Sequence, residues 1–346
     1  MIEKYITYRI TDQVLLNISE IERNLAILHQ SEIAHKAHFR VLSESLFDDM
    51  FAVASFLNLH LTLGDIKKIS VGKEVSAQGA VLLSNIRQIF DFIRNNYRKN
   101  QIVFNFYLVQ HIVKLLQTNI LEVWDIGKIR STNDSVFSAY ELQYQKYEKS
   151  ADISHTLAEA ILWVENDQSI HPIVKACVFL VFLNTVSPFI GLNYVGSLLF
   201  FRLILEKYGY GHNFYIPLFK SLSHANSNAH VQITKSLEMK QPDITELLEN
   251  ITTCLKDIIL TYKKDLIEFD YYDVKNNSQK LDLNDRQVKL LTLLQQKVFI
   301  KRREYIRLFK VSPMTAYRDL NYLTEKSLVV VGGKGKSTTY TLATKS

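Results

Sequence analysis

Proline is scarce in this chain, at 5 residues in 346, and the deficit favours long helices over loops. Cysteine is rarer still. Cys177 and Cys254 sit inside apolar helical patterns with no CxxC or Cys/His spacing nearby, which argues against a zinc centre or a disulfide framework built on them. They read as reduced core residues of an intracellular protein. An apolar signal-peptide core is missing from the first residues, MIEKYITYRI, so the cytoplasm is the expected compartment. Charge is missing from Ala176 to Phe201, a run long enough to span a bilayer. However, Asn184, Thr185, Ser187, Pro188, Gly191 and Asn193 interrupt it, and Pro188 would break it at the centre. Two buried core helices joined by a turn are the better reading, and no membrane is expected as a partner.

What is present is apolar and periodic. Hydrophobic residues make up 47% of the chain, enough for a substantial core, and the length suits one large domain plus a smaller one. From about residue 12 to 268 the apolar spacing is helical, as in Val14, Leu15, Ile18, Ile21, Leu25 and Leu28. Glycines such as Gly127 and Gly209 fall between such blocks, where helix ends are expected. The expected fold class is mainly α: a helical domain over 1–270, a linker over 271–281 with an Asn-Asn-Ser core, and a small α+β domain over 282–346.

The last domain has its own rhythm and its own charge. Residues 282–346 hold 13 Lys and Arg against 5 Asp and Glu, a balance of +8, whereas residues 1–281 carry −2. That asymmetry points to a polyanionic partner at the C-terminal module. Helices are predicted over 284–296 and 301–309, and Ser312-Pro313 supplies an N-cap and first helical residue for a third reaching about Lys326. Leu328 to Val331 and Thr338 to Leu342 flank Gly-Gly-Lys-Gly-Lys and read as a hairpin. Three helices and a basic hairpin make a winged helix-turn-helix. On the third helix Val311, Ala316, Leu320 and Leu323 share one face, leaving Ser312, Met314, Tyr317, Arg318 and Asn321 towards solvent. From there a recognition helix reaches base edges. Lys334 and Lys336 at the wing tip, and Lys301, Arg302 and Arg303 opening the second helix, suit phosphate contacts. Double-stranded DNA is the expected partner, with protein docking as the alternative.

The stretch Ser187-Pro188-Phe189-Ile190-Gly191-Leu192-Asn193-Tyr194-Val195-Gly196-Ser197-Leu198 resembles the signature of Fic-domain proteins, His-Pro-Phe-x-(Asp/Glu)-Gly-Asn-Gly-Arg-x-x-Arg. These proteins usually transfer AMP from ATP to a protein hydroxyl. Pro188, Phe189 and Asn193 match. By the same resemblance Ser187 replaces the His base, Gly191 the metal-binding acid, and Val195 and Leu198 the phosphate-binding arginines. Leu192 and Tyr194 replace glycines of the anion-binding loop. Upstream, FAVASFLNLHLTL resembles the family's inhibitory segment, with Ser55 matching its first position and Leu59 in place of the inhibitory Glu. Loss of the carboxylate together with its arginine partners is what a retired site would show, since an unpaired buried charge is costly. The tail resembles the winged helices of DeoR-type repressors and of Fic proteins that carry a C-terminal winged helix.

Each replaced group has a chemical task. A base near neutral pKa takes the target's proton, a carboxylate holds Mg²⁺, and arginines carry triphosphate charge. Losing one such group typically costs ~10²–10⁴ in rate. The expectation is a catalytically inactive Fic-like protein without a cofactor or metal, acting as a DNA-binding transcriptional regulator and a homodimer. Its body is expected to sense a protein or small-molecule effector. The alternatives are a residual or altered nucleotidyl transferase or nucleotide binder, with Ser187 as a new nucleophile, and a docking scaffold. His171 suits a helix start, and His60, His111 and His155 lack partners at catalytic or metal spacing. Gly127 to Tyr147 lies where Fic enzymes place a target-docking hairpin, and reads here as an ordinary loop.

Overall fold

Two helices buried along nearly their whole length lie in the larger of two units. α7 (Pro172–Val186) and α8 (Asn193–Lys207) pack against each other around the short loop that joins them. Every side chain from Ile173 to Asn184 and from Asn193 to Glu206 is buried. A helix apolar all round has no face to offer water and is stable only inside a larger body. His171 caps α7, its Nδ1 accepting the Ile173 N–H at 3.3 Å, and Pro172 takes the first helical position, where a missing N–H is harmless.

The computed structural model describes residues 6–30, 35–96, 102–131, 152–212, 215–223, 229–238, 242–280, 283–296, 299–326, 328–333 and 338–342. The first unit comprises Met1–Ala26 and Leu42–Leu260, and the second Ile27–Val41 and Thr261–Ser346. Along the chain α7 and α8 are preceded by α1 (Asp12–Gln30), α2 (His35–Phe56), α3 (Leu63–Ser70), α4 (Ala80–Asn96), α5 (Phe106–Gln117) and α6 (Ile153–Asn166); α6 packs on α7 and α5 on α8, while the end of α1 and the start of α2 belong to the second unit. α9 (Lys220–Ser223), α10 (Ala229–Glu238) and α11 (Thr245–Lys280) follow. α1 shows how the sequence pattern selects a face: Val14, Ile21, Leu25 and Leu28 are buried, whereas Leu15, off that stripe, is 57% exposed. Asn17 Nδ2 donates to Thr253 Oγ1 at 2.9 Å, and Lys256 Nζ to Asn17 Oδ1 at 3.0 Å, tying α1 to α11. Among the described residues no helix is long and apolar enough to cross a membrane.

The polar stretch read as a linker takes the form of helix: α11 continues through Lys280. Asn and Ser are weak helix formers, but once a helix is nucleated each further residue adds a bond at little cost. The division between the units falls inside α11, after Leu260 and before that stretch.

In the second unit α12 (Asp285–Gln296), α13 (Arg302–Phe309) and α14 (Pro313–Glu325) precede an antiparallel hairpin of β1 (Val329–Gly332) and β2 (Thr339–Leu342). Val329 pairs with Leu342 and Val331 with Tyr340, and Ile300 bridges to Tyr340 from the other side. Leu290, Leu294, Ile300, Tyr305, Ala316, Leu320, Leu323, Val329 and Tyr340 form its core. This is the winged arrangement expected from the sequence, with helix ends shifted by a residue.

Candidate functional site

The loop from Ser187 to Leu192 carries the motif, and it is locked from three sides. Ser187 leaves α7 in the left-handed region (φ 45°), its N–H on the Leu183 carbonyl at 2.8 Å. Its side chain is fully buried and Oγ donates to the Asn184 carbonyl at 3.1 Å. Asn193 clasps the loop from within: Nδ2 donates to the Phe189 carbonyl and Oδ1 accepts the Phe189 N–H, both at 2.9 Å. From outside, Ile129 bridges antiparallel to Phe189, with Arg130 N–H on the Pro188 carbonyl (2.9 Å) and Ile190 N–H on the Lys128 carbonyl (3.3 Å). The buried Arg130 guanidinium donates to the carbonyls of Ser187 (2.5 Å) and Val186 (2.6 Å). A cation thus sits at the C-terminal end of α7, where the helix dipole is negative. On the third side Gln117 Nε2 donates to the Gly191 carbonyl (2.8 Å) and its Oε1 accepts the Gly127 N–H (2.6 Å).

The positions that resemble the family's catalytic groups hold packing groups. Val195 and Leu198, which the resemblance sets against two arginines, are buried at 1% and 2% exposed. Leu192 keeps a left-handed backbone (φ 60°), which favours glycine, at a cost of about 1–2 kcal/mol. Burial of its side chain offsets that cost. Tyr194 is buried, burial holds its hydroxyl well above the ordinary range, and its ring stacks on Phe56 with centroids 5.7 Å apart. Phe56 ends α2 and lies within the segment that resembles the inhibitory one. Ser55 of that segment is exposed, and Leu59 packs against the backbone at Gly79. The residue that meets the motif is therefore Phe56, which the sequence did not single out.

A buried charge cluster lies one turn beyond the motif on α8. Arg202 pairs with Asp49 and, through Nη2, with Glu206 at 3.1 Å, and its guanidinium lies 4.8 Å from the Phe90 ring centroid. Burial pushes the Asp49 carboxyl up to about 7 against the opposing pull of Arg202 and of the Phe219 N–H, with the Glu206 charge adding to the rise. Lys175 on α7 donates to the carbonyls of Val164 (3.2 Å) and Asp167. The Asp49 and Glu206 carboxylates both face the Arg202 guanidinium, whereas Lys175 is held by backbone carbonyls. Among the described residues no group of three or more His, Cys, Asp or Glu is arranged to hold a metal ion.

In the second unit α14 divides as its spacing predicts. Ala316, Leu320 and Leu323 are buried, and Ser312, Met314, Tyr317, Arg318 and Asn321 are exposed. Ser312 Oγ caps the helix by accepting the Thr315 N–H at 3.1 Å. Arg302 lies with its guanidinium 5.1 Å from the Tyr317 ring centroid and donates to the Tyr340 hydroxyl at 3.2 Å, joining α13, α14 and β2. Arg303 is exposed beside it, while Lys334 and Lys336 lie outside the described residues. Asp319 on the inner face accepts from Asn284 (2.9 Å), Arg286 (3.0 Å) and the Tyr305 hydroxyl (2.9 Å). Burial raises its carboxyl, but the bonds from Arg286, Asn284 and Tyr305 outweigh it and hold Asp319 below its ordinary range. The Asp319 hub and the Arg302–Tyr317 contact were not legible from spacing, since their partners come from three separate elements.

Residues 286–334 match the DeoR-like helix-turn-helix domain. The chain as a whole is similar in structure to a Fic family protein from Desulfovibrio desulfuricans G20, with a TM-score of 0.61 and 17% identity over 98% of each chain. It is also similar to a Fic domain containing signaling protein from Bacteroides thetaiotaomicron VPI-5482, with a TM-score of 0.55 and 12% identity over 74% of this chain and 98% of that one. No curated protein matches it in sequence. The class is thus a mainly helical protein of Fic fold. The chain combines that fold with a C-terminal DeoR-like helix-turn-helix domain.

Proposed function

We propose that this protein is a DNA-binding transcriptional regulator whose Fic-fold body has given up nucleotidyl transfer. The observation that carries the reading is the coincidence, within residues 286–334, of a DeoR-like helix-turn-helix domain with a basic segment whose α14 face is exposed. In this reading α14 enters the major groove, Met314, Tyr317 and Arg318 meet base edges, and Arg302, Arg303 and the wing residues Lys334 and Lys336 meet phosphates. Ser312, committed to its cap, orients the helix start.

Loss of transfer is supported by the state of the motif. A hydroxyl that is fully buried and already donates its proton to a carbonyl, as Ser187 does, is closed to a substrate. Apolar side chains at Val195 and Leu198 offer a triphosphate no countercharge. The body then serves dimerisation or the sensing of an effector, in the cytoplasm. A two-fold pair would favour an inverted repeat with half-sites about one helical turn apart.

The experiment is selection of a random duplex library on the full-length protein at near-physiological salt. An enriched motif that is lost on removal of residues 282–346 supports the reading, and its symmetry reports the oligomeric state. No enrichment rejects it in favour of a docking scaffold. Incubation with labelled ATP, CTP or UTP, Mg²⁺ and lysate tests the inactive motif: transfer of label, abolished by Ser187→Ala, would overturn that half.

A further inference from the structure

Two large apolar side chains stand in water on the face of α14: Met314 is 60% exposed and Tyr317 47%. They lie one turn apart, so with Arg318 they form a continuous patch within the first turns of the helix. The polar side chains around them are already committed. Ser312 Oγ bonds to both the Thr315 N–H and the Thr315 hydroxyl (3.0 Å), and Asn321 Nδ2 donates to Glu325 Oε1 at 2.7 Å. The Tyr317 ring is held by the Arg302 guanidinium, itself tied to the Tyr340 hydroxyl. Arg318 makes no hydrogen bond or ion pair among the described residues. What the helix presents is an apolar pair, one of them in contact with Arg302, beside a guanidinium that has no partner among the described residues.

In the major groove the apolar feature of the standard bases is the C5-methyl of thymine, and guanine O6 and N7 are the acceptors that suit a guanidinium. We infer that this protein reads thymine methyl groups through Met314 and Tyr317, within a step or two of a guanine read by Arg318. The inference rests on the DNA-binding reading above and adds the base chemistry to it. Arg302 is a positioning residue in this scheme, because it fixes the Tyr317 ring from the side of α13 and β2. A protein partner would also cover an apolar patch, but the +8 balance of residues 282–346 favours the polyanion.

The test uses the duplex enriched on the full-length protein, with each thymine replaced in turn by deoxyuridine, which removes only the methyl. Burial of one methyl is worth ~0.8 kcal/mol, or about fourfold in affinity, so a loss of that size is expected at one or two thymines near a guanine. Met314→Ala or Tyr317→Ala should bind the thymine and uracil duplexes alike at the position each reads, with the salt dependence unchanged. Arg318→Ala should keep the methyl effect and lose the guanine preference. Both apolar side chains are exposed, and a thermal melt of each variant confirms that the unit still folds. Equal affinity of the unaltered protein for the thymine and uracil duplexes overturns the inference. So does an enriched site without thymine, or a uracil penalty that survives in both variants. Absence of any enriched sequence removes the DNA reading and this inference with it, a result distinct from equal affinity on an enriched site.

Discussion

The ring of Phe56 lies on the ring of Tyr194, 5.7 Å between centroids and 24° from parallel. One residue ends α2, the other sits in the first turn of α8 where the Fic signature has a glycine. The contact joins the segment that resembles the family's inhibitory one to the start of α8 by apolar packing. Truncating Tyr194 to Ala should cost about 3–5 kcal/mol, as for a large buried aromatic. A double-mutant cycle with Phe56→Ala should show coupling of about 0.5–1.5 kcal/mol by denaturant unfolding. Strict additivity would mean that the two rings are neighbours without mutual stabilisation.

Arg130 holds the last carbonyls of α7 with two charge-assisted bonds. Arg130→Ala leaves both carbonyls buried without that donor, and a loss of about 2–4 kcal/mol in unfolding free energy is expected. Arg130→Lys should recover only part of it, because a single ammonium cannot reproduce the planar fork. Full recovery by lysine would show that charge at the helix end, and not bond geometry, is what matters.

Stability should depend on pH in two separate windows. Asp49 is raised from 3.8 to about 7 in the folded state, so the folded protein keeps a proton that the unfolded chain releases. Its contribution is full below about 3.8 and is lost as pH rises towards about 7. Asp319 has the opposite sign. Its folded value lies below 3.8, so its contribution is present above that value and lost as pH falls through the folded one. Thermal melts across pH should therefore show the slope between pH 4 and 7 reduced in Asp49→Asn, while Asp319→Asn alters only the acid limb. An unchanged mid-range slope in Asp49→Asn would assign it to other groups.

Base and backbone contacts should separate by mutation. Arg318→Ala should relax preference at one position of an enriched site, at about 1–3 kcal/mol of discrimination. Lys334→Ala should weaken all sequences alike and reduce the salt slope by about one. Equal loss of discrimination in both variants would put the wing, and not α14, in the reading position.

Much of this was legible in the residues themselves. An uncharged run interrupted by Pro188 and Asn193 reads better as two core helices and a turn than as a span, and the structure has α7, a turn and α8 there. Ser312-Pro313 marks the start of α14 because capping chemistry is local, and Ala316, Leu320 and Leu323 mark its inner face because helix period is local. The 271–280 stretch shows the limit of such reasoning. Its composition suits a linker, but composition does not say whether a helix begun at Thr245 stops before it.

By itself the sequence determined the helical class, the charge asymmetry and the winged module, because these depend on residue identity and on spacing within a few turns. Only the tertiary structure decided that Arg130 and Gln117 lock the loop, that Phe56 stacks on Tyr194, and that Arg302 lies over the Tyr317 ring. Those contacts join residues from separate elements and leave no periodic trace along the chain. They arise when buried carbonyls and exposed rings find the nearest donors and surfaces that the packed helices bring within reach.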